Sequence, residues 1–179
     1  MGDFKMKKII KSGIYHLLHP KITFFLTSVD KKGKPNVMTC AWATPVSEEP
    51  PVVIVCVSKE HYTTRLIKQT KEFVINIPTK KLLKSLWICG SASGRDTNKF
   101  DKAKLKTASA KKVKAPIIID CIGHIECKLW KMVDAGECYA FFGRVFSAYA
   151  DNRYFKKGQW VEKAEIPLHL AGSKMVYFK

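Results

Sequence analysis

With 179 residues, the chain fits one domain spanning 1–179, long enough to bury about two-thirds of its unfolded surface around one core. Its 46% apolar and 26% charged residues are the balance of a soluble globular protein, and no apolar run approaches the ~20 residues that a membrane-spanning helix needs. Thirty-two Lys and Arg against fifteen Asp and Glu leave a formal charge of +17, a field that draws in nucleic acid, acidic proteins and phosphorylated cofactors alike.

The N-terminus carries Lys5, Lys7 and Lys8, but its apolar stretches are broken by Lys11, His16, His19 and Lys21 and no small-residue cleavage site follows. No export signal is expected. Ile22 to Val29 is rich in β-branched and aromatic residues, DKKGKP supplies turn chemistry, and Asn36 to Thr44 reads as the second strand of a hairpin. After Pro50 and Pro51, the apolar run VVIVCVS (52–58) predicts a strand buried on both faces. Tyr62 to Thr70 predicts a short amphipathic helix and Phe73 to Ile77 a strand. Thr79 is placed to cap a second helix through Leu82, Leu83, Leu86 and Trp87 that ends at Gly90, with a third short helix beginning around Asp96. Beyond a basic, apolar-poor link, 102–114, Ile118 to Val133 and Cys138 to Ala150 flank DAGE and predict a long hairpin. Tyr154 to Glu165 is a polar insertion, and Met175 to Phe178 a final strand. Many strands broken by short helices predict a mainly β fold, an antiparallel barrel.

Six cysteines, Cys40, Cys56, Cys89, Cys121, Cys127 and Cys138, lie in apolar segments without C-x-x-C spacing, so they read as reduced core thiols in a cytoplasmic protein rather than a zinc site or disulfide framework. His16 and His19 precede Pro20 with no third ligand nearby, and no metal site is expected. The basic excess concentrates between Lys59 and Lys114, with 15 Lys or Arg against four acidic residues, and this is where candidate anion-binding segments fall. Ser58 and Lys59 end a strand while Tyr62, Thr63 and Thr64 begin a helix, so hydroxyls and unpaired backbone N–H groups converge where phosphate is favoured; capping alone explains the threonines equally well. In CGSASGRDTNKF (89–100), Gly and Ser allow backbone amides to form a nest around Ser91, Ser93 and Gly94, and Arg95 adds a forked cation. Neither a Walker loop nor G-x-G-x-x-G is present. A competing reading, a nucleic-acid-binding barrel, rests on the net charge and on Tyr139, Phe141 and Phe142.

Taken together, NVMTCAWATPVSEEPP (36–51), SKEHYTTRLIKQTKEFVINIP (58–78) and WICGSASGRDTNKF (87–100) resemble the FMN-binding split-barrel flavoproteins of the flavin reductase-like family. The resemblance implies a Greek-key split barrel, noncovalent FMN, and a homodimer with FMN near its interface. It places Met38, Thr39, Cys40, Ala41 and Trp42 against the isoalloxazine, where backbone donors and a hydroxyl suit the ring's acceptor edge; for Trp42 itself, core packing is the favoured reading over direct flavin contact. It also assigns Ser58, Lys59, Thr63, Thr64, Ser91, Ser93, Gly94 and Arg95 to the phosphate and ribityl chain, and sets Asn76 of FVINIP beside the cofactor unless that amide is satisfied by neighbouring backbone. His169 lies in a region that family members bring near the flavin. The implied activity is NAD(P)H-dependent reduction through FMN of free flavin, a ferric complex or a redox protein, with an FMN electron carrier lacking NAD(P)H turnover, or an FMN-binding storage or regulatory protein, as alternatives. No catalytic triad is expected, because hydride transfer between stacked rings needs orientation rather than an acid–base pair.

Overall fold

The computed structural model describes residues 7–177; Lys5 of the N-terminal lysines and Phe178 of the last expected strand lie outside the described residues. A 3-10 turn, Ile14–Leu18, leads into strands β1 (Lys21–Ile22), β2 (Phe24–Val29), β3 (Pro35–Cys40), β4 (Ala43–Ser47) and β5 (Val52–Ser58). Helix α1 (Tyr62–Thr70) and β6 (Glu72–Ile77) follow, then a 3-10 turn running into α2 (Leu83–Ser91), the short α3 (Lys99–Lys102), β7 (Thr107–Ala108) and β8 (Ile117–Ile118). The long pair β9 (Gly123–Ala135) and β10 (Cys138–Ala150) precedes two hairpins, β11 (Phe155–Lys156) with β12 (Gln159–Trp160), and β13 (Pro167–Ala171) with β14 (Lys174–Tyr177).

Seven strands form one sheet in the order β3-β2-β6-β9-β10-β5-β4, and every ladder in it is antiparallel. The two edge strands, β3 and β4, are consecutive in the chain and separated only by Ala41 and Trp42. Sequence patterning reads 36–44 as one strand. The structure breaks it there, because the chain crosses from one sheet edge to the other and closes the barrel by covalent connection; the Trp42 carbonyl accepts from Cys56 N–H at 2.9 Å to resume pairing with β5.

All of β2 is buried, and its period of two serves two layers. Phe24 and Leu26 enter the barrel core with Val55, Phe73, Ile75 and Phe141, whereas Phe25 joins Leu86, Cys89 and Phe100 beneath α2 and α3. On α1, Leu66 and Ile67 are the inward face with Thr63 and Thr64. A register shift at Phe142/Gly143 in β10 brings the backbone against Phe73; a Cβ on Gly143 would stand 2.5 Å from the Phe73 ring, so only glycine fits. Phe141 is fully buried and unavailable as a base-stacking platform, which removes one support of the nucleic-acid reading.

Smaller expectations shift as well. The third helix starts at Lys99, capped by the Asn98 side chain on Phe100 N–H, not at Asp96, which lies in the preceding turn. The second helix extends one residue past Gly90 to Ser91, and Thr79 caps the 3-10 turn before it by accepting from Lys81 N–H. The basic link also contributes core: Ala103 and Leu105 pack under α2, and its backbone at Lys111 and Lys112 donates to the fully buried Glu126 carboxylate at 2.9 and 2.6 Å. The polar insertion buries Ala164 and packs Trp160 against the barrel core. Among the described residues no helix is long and apolar enough to cross a membrane.

Candidate functional site

Where β3, the start of α1 and the loop leaving α2 meet, they enclose a cleft of about 330 Å³, within the range of small-molecule sites. Asn36 joins two of these elements: its side-chain N–H donates to Thr63 Oγ1 at 2.9 Å and to Ser28 Oγ at 3.4 Å. Thr39 joins β3 to α2, donating to the Leu86 carbonyl at 2.5 Å. The loop then passes directly over Asn36. A Cβ on Gly94 would lie 1.9 Å from Asn36 Oδ1, so this loop reaches its position only with glycine there.

Beyond Gly94 the loop folds on itself. Ser93 Oγ accepts from Arg95 N–H at 3.2 Å, the Ser93 carbonyl accepts from Thr97 N–H at 3.2 Å, and the Arg95 guanidinium donates to the Glu60 carbonyl at 3.1 Å, fastening the loop to the β5–α1 turn. Arg95 and Lys99 both line the cleft. Lys99 is 5% exposed, and its Nζ donates to the Cys89 carbonyl at 3.0 Å. Among the described residues that is the one hydrogen bond of its Nζ, whereas an ammonium carries three donors. Burial lowers the pKa of Lys99, and burial followed by repulsion from Lys99 and Arg95 lowers that of His61. A buried cation with spare donors beside a glycine loop and a helix N-terminus is an anion-binding arrangement. It is poorly suited to nucleophilic chemistry: desolvation pushes the Cys89 thiol up to about 11, leaving it protonated at neutral pH.

Of the residues singled out from sequence, Met38, Thr39, Thr63, Ser91, Ser93, Gly94 and Arg95 line this cleft, while Cys40, Ala41, Trp42, Ser58, Lys59, Thr64 and Asn76 do not. Cys40 is in the barrel core. Trp42 packs on Tyr15 at 5.5 Å with the Lys21 ammonium 5.4 Å from its ring. Thr64 turns back to donate to the Ser58 carbonyl at 2.7 Å, and Lys59 pairs with Asp134 at 2.7 Å. Asn76 is fully buried: its N–H groups donate to the Phe25 carbonyl and Thr27 Oγ1, and its carbonyl accepts from Ile118 N–H at 2.9 Å and pairs with His124 at 3.0 Å. Its amide is satisfied by the sheet. His169 stands 5.2 Å from His19, and is absent from the cleft lining. Sequence reasoning had Tyr62 at the helix start with Thr63, and missed Asn36, His61 and Lys99 as cleft residues; Lys99 is the penultimate residue of the glycine-loop segment, but nothing local reveals that it is buried.

A larger cavity of about 580 Å³ lies elsewhere, lined by apolar residues of β2, β5, β6 and β9 under Phe155 and Trp160. It offers no cation for a phosphate. Among the described residues no group of three or more His, Cys, Asp or Glu is arranged to hold a metal.

The antiparallel barrel with a cationic loop-and-helix cleft at its edge defines a class of protein, and comparison with known proteins agrees. The model of the flavin reductase like domain matches residues 17–177, and the chain belongs to that family. It is 39% identical over 128 residues to an uncharacterised protein of Archaeoglobus fulgidus, covering 72% of this chain and 71% of that one. Among solved structures it is similar to flavoredoxin of Desulfovibrio vulgaris, with a TM-score of 0.86 at 25% identity over 96% of this chain and 93% of that one. It is also similar to flavoredoxin of Methanosarcina acetivorans, with a TM-score of 0.77 at 27% identity over 90% and 85%. The fold is therefore the split barrel of flavin reductase-like proteins.

Proposed function

We propose that this protein is an FMN-binding oxidoreductase that holds FMN noncovalently and passes reducing equivalents from NAD(P)H to free flavin, a ferric complex or a redox protein. The observation that carries this reading is the buried Lys99 ammonium, with donors to spare, facing a cleft whose wall is the 91–95 loop. A phosphate monoester dianion fits that donor set. Lys99 and Arg95 neutralise it, the backbone N–H groups of the loop and of Tyr62 and Thr63 at the start of α1 complete its shell, and Met38 and Thr39 flank the adjoining portion of the cofactor. Bound flavin supplies two-electron chemistry; the chain supplies position and a positive field that favours the reduced, more anionic flavin.

The protein acts in the cytoplasm as a homodimer with FMN near the interface. Exposure of Ile9, Ile14, Leu17 and Leu18, each 61–89% accessible, supports pairing through the N-terminal segment, since such a cluster of large apolar side chains calls for a covering surface. A second reading, an electron carrier that does not itself react with NAD(P)H, is favoured by the similarity to two flavoredoxins.

An absorbance spectrum with added FMN, followed by anaerobic titration with NADH and NADPH, tests both. Bound flavin bleached by a nucleotide is the expected result. Bleaching by dithionite alone selects the carrier, and absence of flavin binding overturns the proposal.

A further inference from the structure

The larger cavity, of about 580 Å³, is made by a split in the barrel. Strand β10 pairs with β5 only from Cys138 to Arg144, yet stays on β9 as far as Ala150, so its last residues leave the β4–β5 edge and open a gap. Thr44 and Pro45 of β4 and Ala148 and Ala150 of β10 line that gap and are exposed, which makes them its mouth. The β11–β12 hairpin closes it through Phe155 and Trp160, whose rings stand 4.9 Å apart at 71°. Trp160 sits directly on the backbone of Gly123: a Cβ there would be 2.8 Å from the indole, so glycine lets the ring close down.

None of the lining residues is Lys, Arg, Asp or Glu, although those types supply 26% of the chain and its net charge is +17. The two ring side chains of the wall that carry polar groups are engaged elsewhere. His124 Nδ1–H donates to Asn76 Oδ1 at 3.0 Å, and the Tyr149 hydroxyl donates to Glu126 Oε1 at 2.9 Å. Burial lowers the His124 imidazole to about 4, so it is neutral at pH 7. An apolar space of this size gives water few partners and leaves its walls without the contacts of a packed core. A charged ligand would lose its hydration there with nothing in return, whereas a flat uncharged ring fits between aliphatic walls and the Phe155–Trp160 pair.

We infer that this split is a second ligand site, separate from the flavin cleft, and that it takes an uncharged ring compound rather than a nucleotide. The two sites share no lining residue, and the inference stands whether or not the first cleft holds flavin.

Two dyes built on the same rings test it: N-phenyl-1-naphthylamine, which is uncharged, and 8-anilino-1-naphthalenesulfonate, which adds a sulfonate. Fluorescence titration of the full chain should show the neutral dye filling a single saturable site and binding about tenfold or more tighter than the anionic one. Val53→Phe fills the cavity from the β5 wall, and Ala148→Trp obstructs its mouth from an exposed position. Each should weaken the neutral dye about tenfold or more while keeping the far-ultraviolet circular dichroism of the wild type; should Val53→Phe misfold, Ala148→Trp decides alone. Preference for the sulfonate overturns the inference, because a basic surface patch rather than the cavity would then be the binder. Unaltered affinity for the neutral dye in a folded variant overturns it too. So does displacement of the dye by FMN, which would make the cavity part of the flavin site, and so does occupancy that falls as protein concentration rises, which would mark the gap as a face covered by a second copy of the chain.

Discussion

Replacing Lys99 with methionine should stabilise the flavin-free fold while removing affinity for a phosphorylated flavin. The side chain is 5% exposed, and methionine keeps the length of its aliphatic stem but removes the charge. In the flavin-free protein the desolvated ammonium costs several kcal/mol, of which its charged hydrogen bond to the Cys89 carbonyl returns about 1.5–3 kcal/mol. The balance is a gain of about 1 kcal/mol in the variant, a rise of about 2–4 °C in Tm for a chain of this length. With FMN the sign reverses. The lost contact is one charge-assisted hydrogen bond to a phosphate, about 1.5–3 kcal/mol, so Kd should rise about 10- to 150-fold. Riboflavin, which lacks the phosphate, provides the internal control and should bind both proteins equally. Flavin fluorescence quenching measures the affinities and thermal denaturation the stability. If FMN and riboflavin weaken together, or if the flavin-free variant melts below the wild type, Lys99 is a structural cation and not a phosphate ligand.

Gly94→Ala should preserve the barrel yet lower FMN affinity by about tenfold or more, because its Cβ would collide with Asn36 and push the loop off the cleft; an unchanged fluorescence titration would refute this. Glu126→Gln leaves fewer acceptors for the N–H groups of Lys111 and Lys112 and the Tyr149 hydroxyl, and should lower stability by about 3 kcal/mol; a urea midpoint equivalent to a loss under about 1 kcal/mol would contradict that accounting. Burial pulls the His124 imidazole from 6.5 down to about 4. As pH falls through that interval the unfolded chain takes up a proton that the folded one refuses, so stability intact above pH 6.5 declines by about 3 kcal/mol toward pH 4. An NMR titration showing His124 protonated at pH 6 would exclude this source of acid sensitivity.

Sequence alone determined the strand and helix inventory wherever the pattern is local: the β-branched and aromatic run of β2, the apolar run of β5, the glycine turn between β9 and β10, and the Leu66 and Ile67 face of α1; burial of β5 on both faces did not follow, since Val53, Ile54 and Cys56 stay partly exposed. It also marked the glycine loop as a candidate, through the resemblance carried by CGSASGRDTNKF in its order after FVINIP rather than through Gly and Ser content alone. Tertiary structure decided what depends on which segments meet. Asn36–Thr44 has the composition of one strand, and only barrel closure explains why the chain leaves the ladder at Ala41 and Trp42. Seven expected cofactor residues lie outside the cleft for the same reason. Cys40 and Asn76 sit on strands whose burial is set by neighbouring strands distant in sequence, and Lys59 is turned away by Asp134 across 75 positions of chain. Conversely, the buried state of Lys99 arises from packing under α2, a contact that no local pattern encodes. Chemistry-bearing residue types can be read along the chain, but desolvation, which makes one lysine a ligand and leaves another a surface charge, is a property of the folded neighbourhood.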